Sequence, residues 1–150
     1  MKAISLWQPW ASLWLTDAKV HETRHWPTSY RGWLLVHAAK RKVDDFGGER
    51  IGDICDGLFG HHWGQDLPRG AIIGAVNLID CLQMRLTSPE NDDDMECGTW
   101  SDERFAWHRS DARLFDVPIP YRGMQGIFNV PDEIVLAVLA PLKDMERKHD

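Results

Sequence analysis

Three residues near the N-terminus have types and spacing suited to polar chemistry: Lys19, Glu22 and Arg24. Residues 20–26 alternate as in a β-strand, which puts Glu22 and Arg24 on one face, and Lys19 in the preceding turn could fold over it. Lys19 could act as a general base if its pKa were lowered, Glu22 could pass protons, and Arg24 could hold a phosphate. An ion pair between Glu22 and Arg24, with Lys19 in solvent, is an equally open structural alternative.

Tryptophans surround these charged residues. Trp7, Trp10 and Trp26 lie within the stretch 4–33, interleaved with cations and one carboxylate. Aromatic rings bury large areas, whereas a buried charge is costly unless it is paired. The stretch is therefore predicted to form both a wall of the core and the floor of a polar cleft, in which these rings could stack on a base.

The elements that position this stretch are predicted as strand, helix and strand. Pro9 suits the first turn of a helix, where its missing N–H is harmless. Trp7 and Gln8 would then lie at the N-terminal end of that helix, where backbone N–H groups favour an anion. On the opposite wall, Gly123 and Gly126 bracket Met124-Gln125 in a turn that would let the backbone approach a ligand.

The remaining patterns indicate an α+β fold. Apolar runs at 32–39 and 71–82 predict buried strands, 43–58 an imperfect helix, 105–109 and 114–117 two strands, and residues from about 132 a C-terminal helix. Alternating strand and helix signals favour a small mixed or antiparallel barrel of five or six strands, with 71–82 central and helices outside. A length of 150 residues predicts a single domain.

An acidic segment at 88–103 carries seven carboxylates and no apolar periodicity. We expect it to be a poorly packed surface loop, since it has little apolar surface to bury. The run Asp92-Asp93-Asp94 lacks the alternating ligands and the glycine of a calcium loop.

The net charge of −6 argues against a wholly basic nucleic-acid binder. Residues 1–42 nevertheless carry seven basic and two acidic side chains, a net of +5, so the remainder carries −11. A basic face on an acidic protein is compatible with binding a polyanion, although Lys40-Arg41-Lys42 by itself favours solvated surface.

Other classes of site have no support in the sequence. The three cysteines have irregular spacing, which favours a reduced cytoplasmic protein without a metal site or cofactor. No signal peptide, membrane span, G-x-S-x-G motif or phosphate-binding glycine loop is expected. The oligomeric state stays open.

Several motifs together resemble one family. They are the string 6–13 (LWQPWASL), Lys19-x-x-Glu22-Thr23-Arg24, the segments 30–32 and 36–39, the strand pattern at 70–80, Phe105-Ala106-Trp107 and the segment 118–126. Across residues 2–131 the chain resembles the ASCH domain family, named for activating-signal-cointegrator homology, within the PUA-like superfamily of small β-barrels.

The resemblance implies a cleft that binds RNA, DNA or a nucleotide or nucleoside. Certain bacterial members are ribonucleases, and one branch hydrolyses acetylcytidine with a lysine and a threonine three residues apart, where this chain has Glu22 with Thr23 next to it. We expect a nucleic-acid or nucleotide binder; the alternative is a small hydrolase, a ribonuclease or a nucleoside amidohydrolase, with Lys19 as general base. The candidate catalytic residues are Lys19, Glu22 and Arg24, and the candidate ligand-binding residues are Trp7, Gln8, Trp10, Thr23, Trp26, Arg31, Gln125 and Gly126.

Overall fold

The structure, a computed structural model, describes residues 1–43 and 47–149. Its strands are β1 (Lys2–Leu6), β2 (His21–Arg24), β3 (Gly32–Ala38), β4 (Ala71–Gln83), β5 (Phe105–Pro120) and β6 (Ile127–Asn129). Its helices are α1 (Trp10–Leu13), α2 (Glu49–Phe59), α3 (Trp63–Asp66), α4 (Asp92–Glu96) and α5 (Asp132–His149), with a 3-10 turn at Met84–Leu86.

The strands form one curled sheet in the order β2-β5-β4-β3-β1-β6. β1 and β3 pair in parallel, and the other neighbouring strands pair antiparallel. The predicted α+β class, with a mixed six-stranded half-barrel, flanking helices and a central 71–82 strand, is confirmed. The two strands predicted at 105–109 and 114–117 are one continuous strand, β5, which stays paired with β4 through several register shifts.

Side chains alternate between the two faces of the sheet. Ala3 and Leu35 pack on one face against apolar residues of α5. Ile4 and Leu34 pack on the other face, together with Trp14 at the end of α1. Burial of apolar surface stabilises the folded state by roughly 25 cal/mol per Å². The two apolar layers therefore hold the sheet in place from both sides. A third cluster joins α1 to α2 and α3.

At Gly74, the groups that approach the β4 backbone closely are other residues of the same chain rather than a ligand. A Cβ atom at this position would lie 2.5 Å from the carbonyl oxygen of Arg113 in β5 and 2.7 Å from a methyl carbon of Leu15. The register of β4 against β5 shifts next to it, between Ile72 and Gly74. A larger residue would therefore push β5 and the end of the α1 segment away from the sheet.

The expectation of a loosely packed acidic loop at 88–103 is wrong for its centre. Helix α4 lies within this segment, and Asp94 is fully buried. The Asn91 side chain caps the helix by accepting a hydrogen bond from the Asp94 N–H at 2.9 Å. Burial is possible because β2, distant in sequence, supplies donors to the Asp94 carboxylate.

Two further comparisons concern the helices. The helix predicted at 43–58 is observed as α2 from Glu49, and residues 44–46 lie outside the described part of the chain. Helix α5 begins at Asp132, the position at which the sequence places it. Within the described residues, no helix is long and apolar enough to cross a membrane.

Candidate functional site

A large cleft of about 2220 Å³ runs along one side of the half-barrel. One wall is formed by β2 and the residues after it, from Glu22 to Trp26. The opposite wall is formed by the ends of β1 and β3 and by the turn 121–126, and the segment 96–99 closes the rim. The cleft is large enough for several nucleotides, since pockets for drug-sized molecules are about 300–1,000 Å³.

Lys19 and Glu22 form a buried ion pair at the β2 wall. Lys19 Nζ lies 3.4 Å from Glu22 Oε1 and donates a hydrogen bond to the Cys97 carbonyl at 2.7 Å. Glu22 Oε1 also accepts from the Thr23 N–H at 2.9 Å. Lys19 is fully buried and Glu22 is 6% exposed, so the alternative that leaves Lys19 in solvent is wrong. Glu22 lines the cleft, and Lys19 supports it from beneath the surface.

Asp94 of α4 fixes the start of β2. Its carboxylate accepts hydrogen bonds from the N–H groups of Val20 (2.9 Å), His21 (3.1 Å) and Glu90 (2.9 Å), and Oδ2 lies 2.6 Å from His21 Nδ1. Burial alone would raise the pKa of Asp94, but these hydrogen bonds outweigh it and hold the pKa at about 2. The strand that carries Glu22 and Arg24 is thus anchored by an ionised carboxylate.

Arg109 of β5 fixes the turn that leads into β2. Its guanidinium is buried and donates to the carbonyl groups of Trp14 (3.1 Å), Lys19 (3.2 Å) and Thr16. Burial lowers the pKa of Arg109 from its usual value, but an arginine stays protonated at physiological pH. The charged guanidinium of Arg109 therefore provides hydrogen bonds for the carbonyl groups of the turn that positions Lys19.

The lining of the cleft is basic although the chain is acidic. Among the residues that the structure describes, five cationic side chains and two carboxylates line it, a net of +3: Arg24, Lys40, Arg69, Arg104, Arg122, Glu22 and Glu96. Arg104 donates to the Thr23 carbonyl at 3.1 Å, which ties it to β2. The Nε atoms of Arg24 and Arg104 are buried and have no hydrogen-bond partner within the described residues. A local field of this sign attracts anions regardless of the total charge.

Three tryptophans line the same cleft. Trp7 is 54% exposed, and the Arg41 guanidinium lies 3.9 Å from the centroid of its ring. Trp26 packs edge-on against buried Trp107, and the Arg24 guanidinium lies 5.5 Å from its ring. Trp10 is the third ring, with Lys19 Nζ at 5.8 Å. The most exposed ring, Trp7, is the one best placed to stack on a ligand.

The structure brings most of the predicted site residues together. Eight line the cleft: Trp7, Trp10, Glu22, Thr23, Arg24, Trp26, Gln125 and Gly126. Lys19 lies directly behind them.

Gln8 and Arg31 are not among the residues that line the cleft. Gln8 is buried; its amide donates to Ser12 Oγ and to the Pro68 carbonyl, and its Oε1 accepts from the Ser12 N–H. Oxygens of Trp7, Gln8 and Pro9 already accept from the N–H groups of Ala11, Ser12 and Leu13, so the short α1 is not expected to bind an anion. Arg31 lies on another surface, 3.8 Å from Asp80.

Sequence reasoning missed several residues of the cleft. Arg69, Arg104 and Arg122 are isolated basic residues in loops, and no spacing pattern identifies them. Ser5 and His37 could be predicted as neighbours once β1 and β3 are paired in parallel, because that pairing places them in register. Among the described residues, no cluster of three His, Cys, Asp or Glu side chains could hold a metal ion.

Comparisons with known proteins agree with this architecture. The sequence model of the ASCH domain family matches residues 4–119. Activating signal cointegrator 1 of Homo sapiens is 29% identical over 133 residues, and its Mus musculus counterpart 28%. These matches cover 87% of this chain, which spans about a fifth (22%) of those relatives.

A solved structure has the same fold. The crystal structure of ASCH from Zymomonas mobilis superposes with a TM-score of 0.54 at 12% identity, covering 93% of each chain. At this level of identity the likeness concerns the fold.

Proposed function

This chain belongs to the ASCH domain family, and from that premise we propose that its cleft binds single-stranded nucleic acid, with RNA as the main ligand. ASCH domains are PUA-like domains generally thought to bind RNA. The observation that carries the proposal is the basic cleft, which combines five cationic side chains with exposed Trp7. Basic grooves with stacking aromatic rings are typical of proteins that bind single strands.

The cationic side chains would contact phosphates, and the rings would contact bases. Arg24 and Arg104 lie on the β2 side of the cleft. The other three lining cations, Arg69, Arg122 and Lys40, come from segments other than β2. Cations on both sides of the cleft suit a strand that crosses it rather than one mononucleotide. Stacking on Trp7 would add about 1–3 kcal/mol per base.

The test is fluorescence anisotropy with a labelled single-stranded RNA and the matching DNA, measured at several salt concentrations. Each phosphate contact to a single strand contributes roughly −0.7 to the slope of log K against log salt. We expect a slope that corresponds to several contacts. A nucleoside pocket without phosphate contacts would instead give binding that hardly changes with salt.

A second candidate function, hydrolysis of RNA or of a modified nucleoside, is favoured by Glu22. Its carboxylate lines the cleft and is kept close to the buried Lys19 ammonium. Glu22 would take the proton from an attacking hydroxyl or water, and Arg24 would hold the phosphate. Because Lys19 is enclosed and bonded to the Cys97 carbonyl, we assign it the positioning of Glu22 rather than direct contact with substrate.

Turnover assays separate this second function from binding. Glu22→Gln should abolish release of product from a quenched fluorescent RNA, or deacetylation of acetylcytidine, while RNA binding persists. Wild-type protein without turnover on either substrate would leave binding alone as the function. The cytoplasmic location expected from the cysteines stays a prediction.

A further inference from the structure

A chain of hydrogen bonds crosses the wall of the cleft opposite β2. Ser5 of β1 and His37 of β3 are register partners on adjacent parallel strands. Ser5 Oγ lies 2.8 Å from His37 Nδ1, and His37 Nε2 lies 2.7 Å from the Tyr121 carbonyl oxygen. All three residues line the cleft, and Ser5 is partly exposed.

The direction of this chain follows from the chemistry of its ends. A carbonyl oxygen can only accept, so His37 Nε2 must carry a hydrogen. Burial lowers the pKa of His37, against the opposing effect of the Tyr121 carbonyl, so the ring holds a single proton at neutral pH. Nδ1 is then an acceptor, and it takes the one hydroxyl hydrogen of Ser5.

The hydroxyl oxygen of Ser5 therefore presents only lone pairs, and no hydrogen, to the cleft. Within the described residues, Ser5 Oγ has no hydrogen-bond partner besides His37. Gly123 keeps the 121–126 turn close to this pair, because a Cβ atom there would lie 2.9 Å from Ser5 Oγ and 2.7 Å from His37 Cε1. The turn therefore packs directly against the pair, while the hydroxyl oxygen keeps lone pairs that no described residue uses.

We propose that Ser5 is a specificity-determining acceptor, which takes a hydrogen bond from a donor group on the bound strand. Single-stranded RNA carries three kinds of donor: the ribose 2′-hydroxyl, the exocyclic amino groups, and the imino N–H groups of guanine and uracil. We assign this contact to the 2′-hydroxyl or to the guanine amino group. Ser5 would discriminate against any strand that offers an acceptor or an apolar group at this point. The inference rests on the proposed binding function and specifies what the cleft selects.

The experiment uses three single-stranded oligonucleotides and the full chain. The first is an RNA of guanosine and uridine only, in which guanine carries the only amino groups. The second replaces every 2′-hydroxyl by fluorine, which removes the donor, and the third replaces guanosine by inosine, which removes the amino group. Wild type, Ser5→Ala and the control Ser110→Ala, at an exposed position outside the cleft, are titrated with each.

We expect wild type and Ser110→Ala to bind the 2′-fluoro or the inosine strand about 2- to 10-fold more weakly than the RNA. Ser5→Ala should bind that strand and the RNA equally. Equal affinity of wild type for all three strands, or a preference that survives in Ser5→Ala, would overturn the inference and leave the binding function standing. Absence of binding to every strand would overturn both.

Discussion

Lys19 Nζ and Cys97 O lie 2.7 Å apart, although 78 residues separate them in the chain. The same ammonium lies 3.4 Å from Glu22, so one buried cation connects β2 to the residue that follows α4. Burial raises the pKa of the Cys97 thiol to about 11, while Lys19 acts in the opposite direction. Cys97 is therefore a neutral thiol at physiological pH, and Glu22 is the anionic partner of Lys19.

Removing Lys19 should destabilise the protein strongly. Lys19→Met leaves Glu22 without its partner in a nearly closed site, and breaking a buried pair in this way costs about 3–5 kcal/mol. Urea unfolding measures the loss, and Lys42→Met, at an exposed position, is the control. A loss below about 1 kcal/mol, typical of a surface pair, would contradict the structural role given to Lys19.

Acid should unfold the protein partly through Asp94. Since its pKa in the folded state is held at about 2, Asp94 stabilises the fold fully above about pH 4, and this contribution is lost as the pH falls towards 2. The size is roughly 2–3 kcal/mol. Asp94→Asn should remove this part of the pH dependence in urea unfolding, whereas Asp92→Asn, at an exposed position, should retain it. Identical pH profiles for wild type and Asp94→Asn would show that other groups dominate.

Loss of a cleft cation should change the salt dependence of RNA binding. Arg122→Gln removes one exposed cation of the cleft, so the slope of log K against log salt should become shallower by about 0.7. Arg85→Gln, at an exposed position outside the cleft, should leave the slope unchanged. Equal slopes for both variants would show that Arg122 does not contact a phosphate of the bound strand.

Loss of the exposed ring should weaken binding without changing the salt slope. Trp7→Ala removes a stacking surface worth about 1–3 kcal/mol, which corresponds to a roughly 5- to 150-fold higher Kd. Trp7→Phe should retain much of the affinity, because any aromatic face can stack. Anisotropy titrations at constant salt decide this, and unchanged affinity in Trp7→Ala would exclude base stacking at this ring.

The part of the site that is local in sequence could be predicted, and the part that depends on distant contacts could not. Strand alternation is a local pattern, so it placed Glu22 and Arg24 on the same wall. The burial of Lys19 depends on Cys97, and the burial of Asp94 depends on the N–H groups of Val20 and His21, more than 70 residues away. The acidic run therefore predicted an exposed loop, although one of its carboxylates, that of Asp94, accepts hydrogen bonds from residues distant in sequence.

The basic character of the cleft was only partly predictable for the same reason. The excess of cations in residues 1–42 is visible in the sequence, but Arg69, Arg104 and Arg122 join the cleft only through the pairing of β4, β5 and the strands around them. No spacing connects these three arginines along the chain, so their convergence is a property of the fold.

The indole N–H signals of the eight tryptophans give the most direct test of where nucleic acid binds. Three rings line the cleft (Trp7, Trp10 and Trp26), whereas Trp33 and Trp63 are buried outside it. In an NMR titration of the full chain with single-stranded RNA, we predict shifts of the three cleft signals, with the Trp33 and Trp63 signals unmoved. Saturating RNA that leaves the Trp7, Trp10 and Trp26 signals unchanged would contradict binding in the cleft.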